Sequence, residues 1–335
     1  MRKILFSLVA LFCATVCFAQ GSMLATLKHE ETITTFYGAR ALKDAYAAAT
    51  HGDVITLSSG SFTATDIEKA ITIRGAGMGI DTTKVVEPTV ISGDFKINIT
   101  EETSAKFVLE GIYSNNTISY DILKNAMFLK CRFKNIINYT NGSKLENATF
   151  MHCRIAEWLY LSTDCSATCI NCAIYYPYSY NNSTSNFEFL NCIIHSFSNC
   201  NIDVASSIFR NSIIISEDNI GRLNSSNTCY NSVAIAIDTF FENITNSTNK
   251  IAAYTDIFKT YTGSEFAKLD NETFELTESA KTKYLGSDGT EVGIYGGSYP
   301  FDSTPTNPQI TKCAVASKST ADGKLSVDIQ VSAGE

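Results

Sequence analysis

The feature that most constrains the fold of this chain is a repeat of about twenty residues in its central part. The unit reads Phe-x-Asn-Cys-x-Ile. Its copies span residues 128–133, 150–155, 169–174, 189–194, 209–214 and 229–234, with a degenerate earlier copy at 108–113. Its small-residue slot holds Gly111, Cys131, Cys153, Cys172, Cys192, Ser212 and Ser232, at spacings of 20, 22, 19, 20, 20 and 20 residues. This period predicts a solenoid, in which each short coil buries its apolar face against its neighbours.

The residue types of the unit predict that its coils are built from strands. Ile and Phe suit a pleated, half-buried surface, and the units show neither helical spacing nor the leucine ladder of leucine-rich repeats. The Phe and Cys slots lie three residues apart, an offset that a flat strand would send to opposite faces. We therefore predict a bend between them, occupied by Asn171, Asn191, Asn211 and Asn231, because Asn tolerates a left-handed backbone. We also expect their amides to bond coil to coil.

Segments at both ends of the repeat region carry a further pattern. The N-terminal side has the segments 50–57, 59–62 and 71–77, and the C-terminal side has 285–297. Together with the Asn-containing coils, they resemble the right-handed parallel β-helix proteins of the pectate-lyase-like superfamily, over roughly residues 30 to 298. The resemblance implies an all-β fold, a single-stranded right-handed parallel β-helix with about 20 residues per coil and a short N-terminal capping helix.

The chain divides into three parts by composition. Residues 1–19 combine a basic start, an apolar run and small residues before Gln20, which predicts a signal peptide and export to an extracellular, cell-surface or periplasmic location. Residues 20–298 form the β-helix domain, including a capping helix whose apolar face is Leu42, Ala45, Tyr46 and Ala49. Residues 299–335 read as a Pro/Ser/Thr-rich linker or wrapped tail, followed by one strand over 324–331.

The net charge of the chain limits the classes of partner that it can bind. The net charge is −8, and it becomes −10 once the two cations Arg2 and Lys3 leave with the signal peptide. An acidic chain is a poor binder of nucleic acid. No later apolar run approaches the ~20 residues of a membrane span. We expect a monomer without a cofactor, with an extracellular polysaccharide or a surface protein as its partner.

The cysteines fit a structural role. Of the eleven cysteines, Cys13 and Cys17 belong to the apolar leader, which leaves nine. Stacked strands lie ~4.8 Å apart, a separation that disulfides can span, so a reduced buried row and coil-to-coil disulfides both remain open. The spacing of Cys165, Cys169 and Cys172 invites a metal, but no matching His or Cys pair completes four ligands at zinc spacing. We predict no metal site.

Catalytic signals are weak. Between Cys131 and Cys229 only Glu217 and Asp218 adjoin among seven carboxylates, whereas glycoside hydrolysis needs a cooperating pair. The Asn-Thr-Asp, Gly-His-Gly and Arg-Ile-Lys signatures of polygalacturonase-like β-helices and the Trp-Ile-Asp-His elements of pectate lyases do not occur. We predict no catalytic residue. A polysaccharide lyase or glycoside hydrolase is kept as the alternative.

Aromatic residues supply the candidate binding site. They are Trp158, Tyr160, Tyr175, Tyr176, Tyr178, Tyr180 and His195, with Phe197 nearby. Their positions in the repeat place them on three successive coils, as a platform for sugars or a protein partner. The same spacing also fits stacking between coils. We therefore predict a secreted or cell-surface protein with a binding or structural role, with glycan binding as the specific hypothesis.

Overall fold

The structure is a computed structural model that describes residues 23–79, 87–138, 142–162, 164–179, 185–196, 204, 206–216, 225–236, 238–244, 248–260, 272–315, 318–319 and 322–332. Its elements follow one another in chain order as β1 (Leu24–His29), β2 (Thr32–Tyr37), α1 (Ala41–Ala48), β3 (Val54–Leu57), β4 (Gly60–Thr63), β5 (Thr72–Arg74), β6 (Thr89–Ser92), β7 (Phe95–Ile97), β8 (Val108–Glu110), β9 (Ile112–Tyr120), β10 (Ile122–Lys124), β11 (Met127–Leu129), β12 (Arg132–Ile137), β13 (Lys144–Glu146), β14 (Ala148–Met151), β15 (Arg154–Leu161), β16 (Ser166–Ile170), β17 (Ala173–Ser179), β18 (Asn186–Leu190), β19 (Ile193–Ser196), β20 (Ile208–Arg210), β21 (Ile213–Ser216), β22 (Thr228–Tyr230), β23 (Val233–Ile235), β24 (Lys250–Ile251), α2 (Tyr254–Ile257), α3 (Glu278–Lys283), β25 (Gln309–Val315) and β26 (Val327–Ser332).

Two long, almost entirely parallel sheets wind around one core in about eight turns of about 20 residues, which confirms the predicted β-solenoid. We call them sheet A, in the order β2-β1-β3-β5-β8-β11-β14-β16-β18-β20-β22, and sheet B, in the order β24-β23-β21-β19-β17-β15-β12-β9-β6-β4. Each central coil contributes one strand to sheet A, turns at a bend and contributes the next strand to sheet B.

The predicted Phe row lies in register inside the solenoid. Across sheet A, Phe128 pairs with Phe150, Phe150 with Cys169, and Cys169 with Phe189. All four side chains are fully buried. The Phe128 and Phe150 rings stack at 4.6 Å between centroids. Repeat position therefore fixes spatial position, as a solenoid requires.

The predicted Cys row is also buried, and its thiols are reduced. Each thiol follows a left-handed bend residue and bonds backbone groups of its own and adjacent coils. Cys172 Sγ, for example, donates to Phe150 O at 3.4 Å and accepts the Cys153 N–H at 3.3 Å. Gly111 is an exception to the predicted register, because Glu110 pairs with Leu129, which aligns Gly111 with the bend residue Lys130 instead of Cys131. A glycine suits that position, where φ is 63°.

The N-terminal cap contains the predicted helix and an unpredicted hairpin. In α1, Leu42, Ala45 and Tyr46 are buried together with the following Ala49. The antiparallel pair β1–β2 extends sheet A beyond β3, so the cap joins the sheet as well as covering the core. This arrangement leaves β2 as the edge strand.

A second apolar core lies on the outer face of sheet B. The described residues of 252–260 and 272–301 contribute to it, and Phe274, Leu276 and Tyr284 pack there with outward-facing Ile193 and Ile213. Because sheet B is buried on both faces in this region, its strands read as continuous apolar runs such as Ile213-Ile214-Ile215.

Residues 284–307, which we call the C-terminal strap, run back along the bends from the coil of Asn211 to that of Gly75. The Asn171 amide donates to Ile294 O and Gly296 O, both at 2.8 Å, and Asn307 donates to Gly75 O at 2.8 Å. Between these points, buried Lys130 bonds Asp302 at 2.9 Å. The tail thus wraps the solenoid, one of the two alternatives predicted for residues from 299 onward.

Two of the four bend asparagines bond the strap, and none of the four bonds another. Asn171, Asn191, Asn211 and Asn231 all have the predicted left-handed backbone, with φ between 47° and 52°. Asn211 Oδ1 accepts the Ser287 N–H at 2.9 Å. Among these four residues no amide bonds the next asparagine, so the predicted coil-to-coil amide bonds are wrong. At Asn171 and Asn211 the strap lies against the outward side of the bend and supplies the partners instead.

The last two strands, β25 and β26, form an antiparallel hairpin. The predicted tail strand over 324–331 is present as β26, but it pairs with β25 and every residue of 322–331 is exposed. The predicted signal peptide at 1–19 lies outside the described residues. Within the described ranges, no helix is long and apolar enough to span a membrane.

Candidate functional site

Four aromatic rings form a platform where β15 and β17 lie side by side. In register, Trp158 pairs with Tyr176 and Tyr160 pairs with Tyr178. The Trp158 ring meets Tyr176 edge-on at 4.3 Å, and the rings of Tyr160 and Tyr178 stack at 4.9 Å. Trp158 is 39% exposed, and Tyr160 and Tyr178 are partly exposed, whereas Tyr176 is buried beneath them. We call these four residues the aromatic platform.

Side chains point alternately inward and outward along β15, which explains why the rings of Trp158 and Tyr160 face outward. Leu159 and Leu161, between and beyond the two aromatic residues, are fully buried. The pairing of β15 with β17 shifts register between Ile155 and Trp158, as at a β-bulge. Such a bulge re-aims side chains. It brings Trp158 and Tyr160 to the outer face together.

Two hydrogen bonds fix the backbone under the platform. Asn135 Oδ1, on the preceding coil, accepts the Trp158 N–H at 3.0 Å. Buried Tyr120 donates its hydroxyl to Tyr160 O at 2.9 Å, and burial raises the pKa of this phenol well above its ordinary value. The hydroxyl therefore stays protonated and holds Tyr160 in place.

Tyr175 and His195 belong to the covered part of the same sheet. Their rings stack at 4.7 Å with 14° between the planes, and both side chains are about 97–98% buried, with exposures of 3% and 2%. Burial lowers the pKa of His195 to about 4. They line a cavity of about 10 Å³, room for at most about one water. Tyr180 and Phe197 lie outside the described residues.

A buried cation lies in the covered part, where Arg154 lines the same small cavity as Tyr175 and His195. Arg154 is 3% exposed, and its guanidinium lies 5.6 Å from the Phe274 ring and 5.3 Å from the Phe301 ring. Two aromatic faces thus contact the charge in a site with little water. Nearer the platform, Lys134 and Glu157 form an ion pair at 3.6 Å.

The outer face of sheet A carries a second concave surface that sequence reasoning missed. Thr149, Thr168 and Glu188 lie side by side on β14, β16 and β18, and with flanking Asn and Ser side chains they line a groove of about 320 Å³. The available signal was positional, because all three residues directly precede the Phe-slot residue of their coils. Polar residues on an outward face are so common that the signal does not stand out.

The described side chains include no group of three or more His, Cys, Asp or Glu arranged to hold a metal ion. Cys165, Cys169 and Cys172, which invited that hypothesis, occupy three different positions of the coil. Cys169 lies in the Phe row and Cys172 in the Cys row, and Cys165 accepts the Leu145 N–H at 3.1 Å.

No family model, curated protein or solved structure matches this chain. The assignment of a function therefore depends on the geometry of its own surfaces.

Proposed function

We propose that this protein is an exported or cell-surface β-helix of pectate-lyase-like architecture that binds a glycan on the aromatic platform. The observation that carries the proposal is the exposure of Trp158, which presents an indole on a rigid sheet with two partly exposed tyrosines beside it. A large aromatic ring costs free energy to expose, so exposed rings grouped on a rigid surface mark a binding site.

The chemistry of the platform favours a neutral sugar chain. Trp and Tyr rings offer apolar faces to the C–H groups of a pyranose and polar edges to its hydroxyls. The nearest ionic groups, Lys134 and Glu157, are paired with each other. The rings lie on adjacent strands, ~4.8 Å apart, so a sugar chain would cross the coils.

Intrinsic fluorescence tests the proposal directly, because Trp158 is the only tryptophan in the chain. A glycan that stacks on the indole changes its emission, so a neutral-glycan panel can be titrated against the mature protein. We expect Tyr178→Ala to weaken binding about tenfold, the equivalent of ~1.4 kcal/mol. Tyr230→Ala is the matched control, since Tyr230 is 38% exposed on the distant strand β22.

A glycan array with Trp158→Ala completes the test. We expect loss of every glycan that binds the parent chain, with the thermal transition almost unchanged. If Trp158→Ala instead lowers the free energy of unfolding by the ~3 to 5 kcal/mol typical of a buried Trp, the ring belongs to the packed core and the proposal is contradicted. An array without binding to the parent chain would also contradict it.

The second candidate is a polysaccharide lyase or glycoside hydrolase, and the groove beside Glu188 is the observation that favours it. Among the described residues that line the groove, Glu188 is the single carboxylate, whereas hydrolysis of a glycosidic bond normally uses two. The enzyme therefore ranks second. Reducing-sugar and lyase absorbance screens test it, and Glu188→Gln must abolish any activity found.

A further inference from the structure

The edge strand β2 offers a surface for pairing with another strand. It hydrogen-bonds β1 on one side, and no described strand pairs with its other edge. Its residues, Thr-Ile-Thr-Thr-Phe-Tyr, include no charge and no proline. Natural proteins usually protect such edges with charges, prolines or bulges, because an open edge recruits other strands. Here those protections are absent from the strand itself.

The side chains of β2 are self-complementary. Ile33 and Tyr37 are 66% and 68% exposed, and they lie on the same face as Thr35 because side chains alternate along a strand. In an antiparallel pair of two β2 strands related by a two-fold axis at Thr35, each Ile33 lies opposite Tyr37 of the second copy. Aromatic and β-branched residues form favourable cross-strand pairs, worth ~0.2 to 1 kcal/mol each.

The charges at the two ends of β2 favour the same antiparallel arrangement. Glu30 and Glu31 are exposed in the turn before β2. Arg40 follows its other end with 70% of its side chain exposed, in a loose ion pair with Asp44 at 4.0 Å. Antiparallel pairing brings the acidic turn of one copy towards Arg40 of the other. A parallel pair would place the two acidic turns together, which like charges disfavour.

We propose that β2 pairs antiparallel with β2 of a second copy, centred on Thr35, and joins two solenoids through their N-terminal caps. Sheet A then continues across both copies. This dimer departs from the monomer expected from the sequence, where the β1–β2 hairpin was not apparent. A six-residue strand pair buries less than the ~1,200 to 2,000 Å² of standard interfaces, so the dimer forms at high concentration or on a crowded surface.

Disulfide trapping tests the pairing and its register. Thr35→Cys places two thiols opposite each other across the axis. Glutathione disulfide is the oxidant: it is reduced to two glutathione thiols as the two cysteines lose two protons and two electrons and form the Sγ–Sγ bond. Thr34→Cys projects from the other face and lies opposite Phe36 of the second copy. Asn115→Cys, exposed on β9, controls for random collisions. The seven described cysteines between Cys131 and Cys229 are buried, which limits their background.

We expect roughly ten times more linked dimer from Thr35→Cys than from either other variant, on a non-reducing gel. Equal linking of Thr35→Cys and Asn115→Cys overturns the proposal, and stronger linking of Thr34→Cys overturns its register. Sedimentation of the full mature chain gives a second readout. Thr35→Lys places two like charges at the axis and must remove the concentration-dependent dimer, whereas Asn115→Lys must retain it.

Discussion

The interior of the solenoid and the outer side of its bends follow different rules, even where their residues are neighbours in the sequence. Inside, Cys172 repeats the position of Cys153 and bonds it, so each coil completes the next. One residue earlier, Asn171 repeats an equally regular position but bonds the C-terminal strap, 123 and 125 residues away. The repeat therefore specifies the backbone at both positions, but it specifies the partner only inside.

The same contrast divides the aromatic residues. Tyr175 and His195 are covered by the segment around Phe274, whereas Trp158 and Tyr160 emerge beyond its cover. A single sheet thus carries a buried aromatic stack and an exposed aromatic platform. The two groups differ in whether the non-repetitive segment around Phe274 covers them. Substitutions in the covered and in the exposed part therefore test this difference.

The largest expected effect lies in the interior. Phe150→Ala removes a ring that is fully buried and stacked on Phe128, so we expect it to lower the free energy of unfolding by ~3 to 5 kcal/mol. Met127→Ala is the control from the outward face of the neighbouring strand, because Met127 is 37% exposed. Urea denaturation measures both. A loss below ~1 kcal/mol for Phe150→Ala would contradict the packed interior.

The strap provides the next effect. Asn171→Gly keeps a residue that tolerates the left-handed backbone but removes two buried bonds to Ile294 and Gly296, for an expected loss of ~2 to 3 kcal/mol. Asn231→Gly is matched, because Asn231 has the same backbone and its amide bonds no described strap residue. We expect that control to change stability little. Equal losses for both would mean that the strap contributes nothing at Asn171.

This difference between interior and exterior also explains what the sequence could predict. The Phe and Cys rows follow from a local period, because each residue finds its partner about twenty positions away. The helix α1 follows from its apolar face. Gly111 was misplaced because sequence similarity in a degenerate copy tolerates a shift of one residue, whereas backbone pairing does not. One residue of slip exchanges the two faces of a strand.

The candidate site was predictable only in part. The positions of Trp158, Tyr176 and Tyr178 on neighbouring coils follow from the repeat. Their exposure does not, because it depends on where residues 252–260 and 272–301 end their cover of sheet B. The strap and the hairpin β1–β2 were missed for the same reason, because each depends on contacts between segments that share no repeat position. The groove of Glu188 does follow a repeat position, but polar residues on an outward face are too common to stand out.

A third test uses pH at the covered stack. Burial holds the pKa of His195 at about 4, below its ordinary value of 6.5, so the unfolded chain binds a proton that the folded chain excludes between these values. Stability therefore falls as pH drops through that window. From pH 7 to pH 5 we expect a loss of ~2 kcal/mol from this group.

Urea denaturation at both pH values checks this loss in the parent chain and in His195→Gln, where it must largely disappear. His29→Gln is the opposite case, because the bond to Asp53 raises the pKa of His29 and so adds stability in acid. That control must keep the acid-dependent loss. An unchanged loss in His195→Gln would show that another group accounts for it.

The smallest effect is expected in the Cys row. Ser212 and Ser232 already occupy this row, and the Ser232 hydroxyl accepts the Ser212 N–H at 3.1 Å just as Cys172 accepts that of Cys153. Cys172→Ser keeps both a donor and an acceptor, so we expect a change below ~1 kcal/mol, whereas Cys172→Ala leaves the buried Cys153 N–H unpaired at ~1 to 3 kcal/mol. Equal losses in urea denaturation would mean that thiol packing, and not hydrogen bonding, stabilises the row. A loss confined to Cys172→Ala would explain why the repeat accepts either Cys or Ser in this slot.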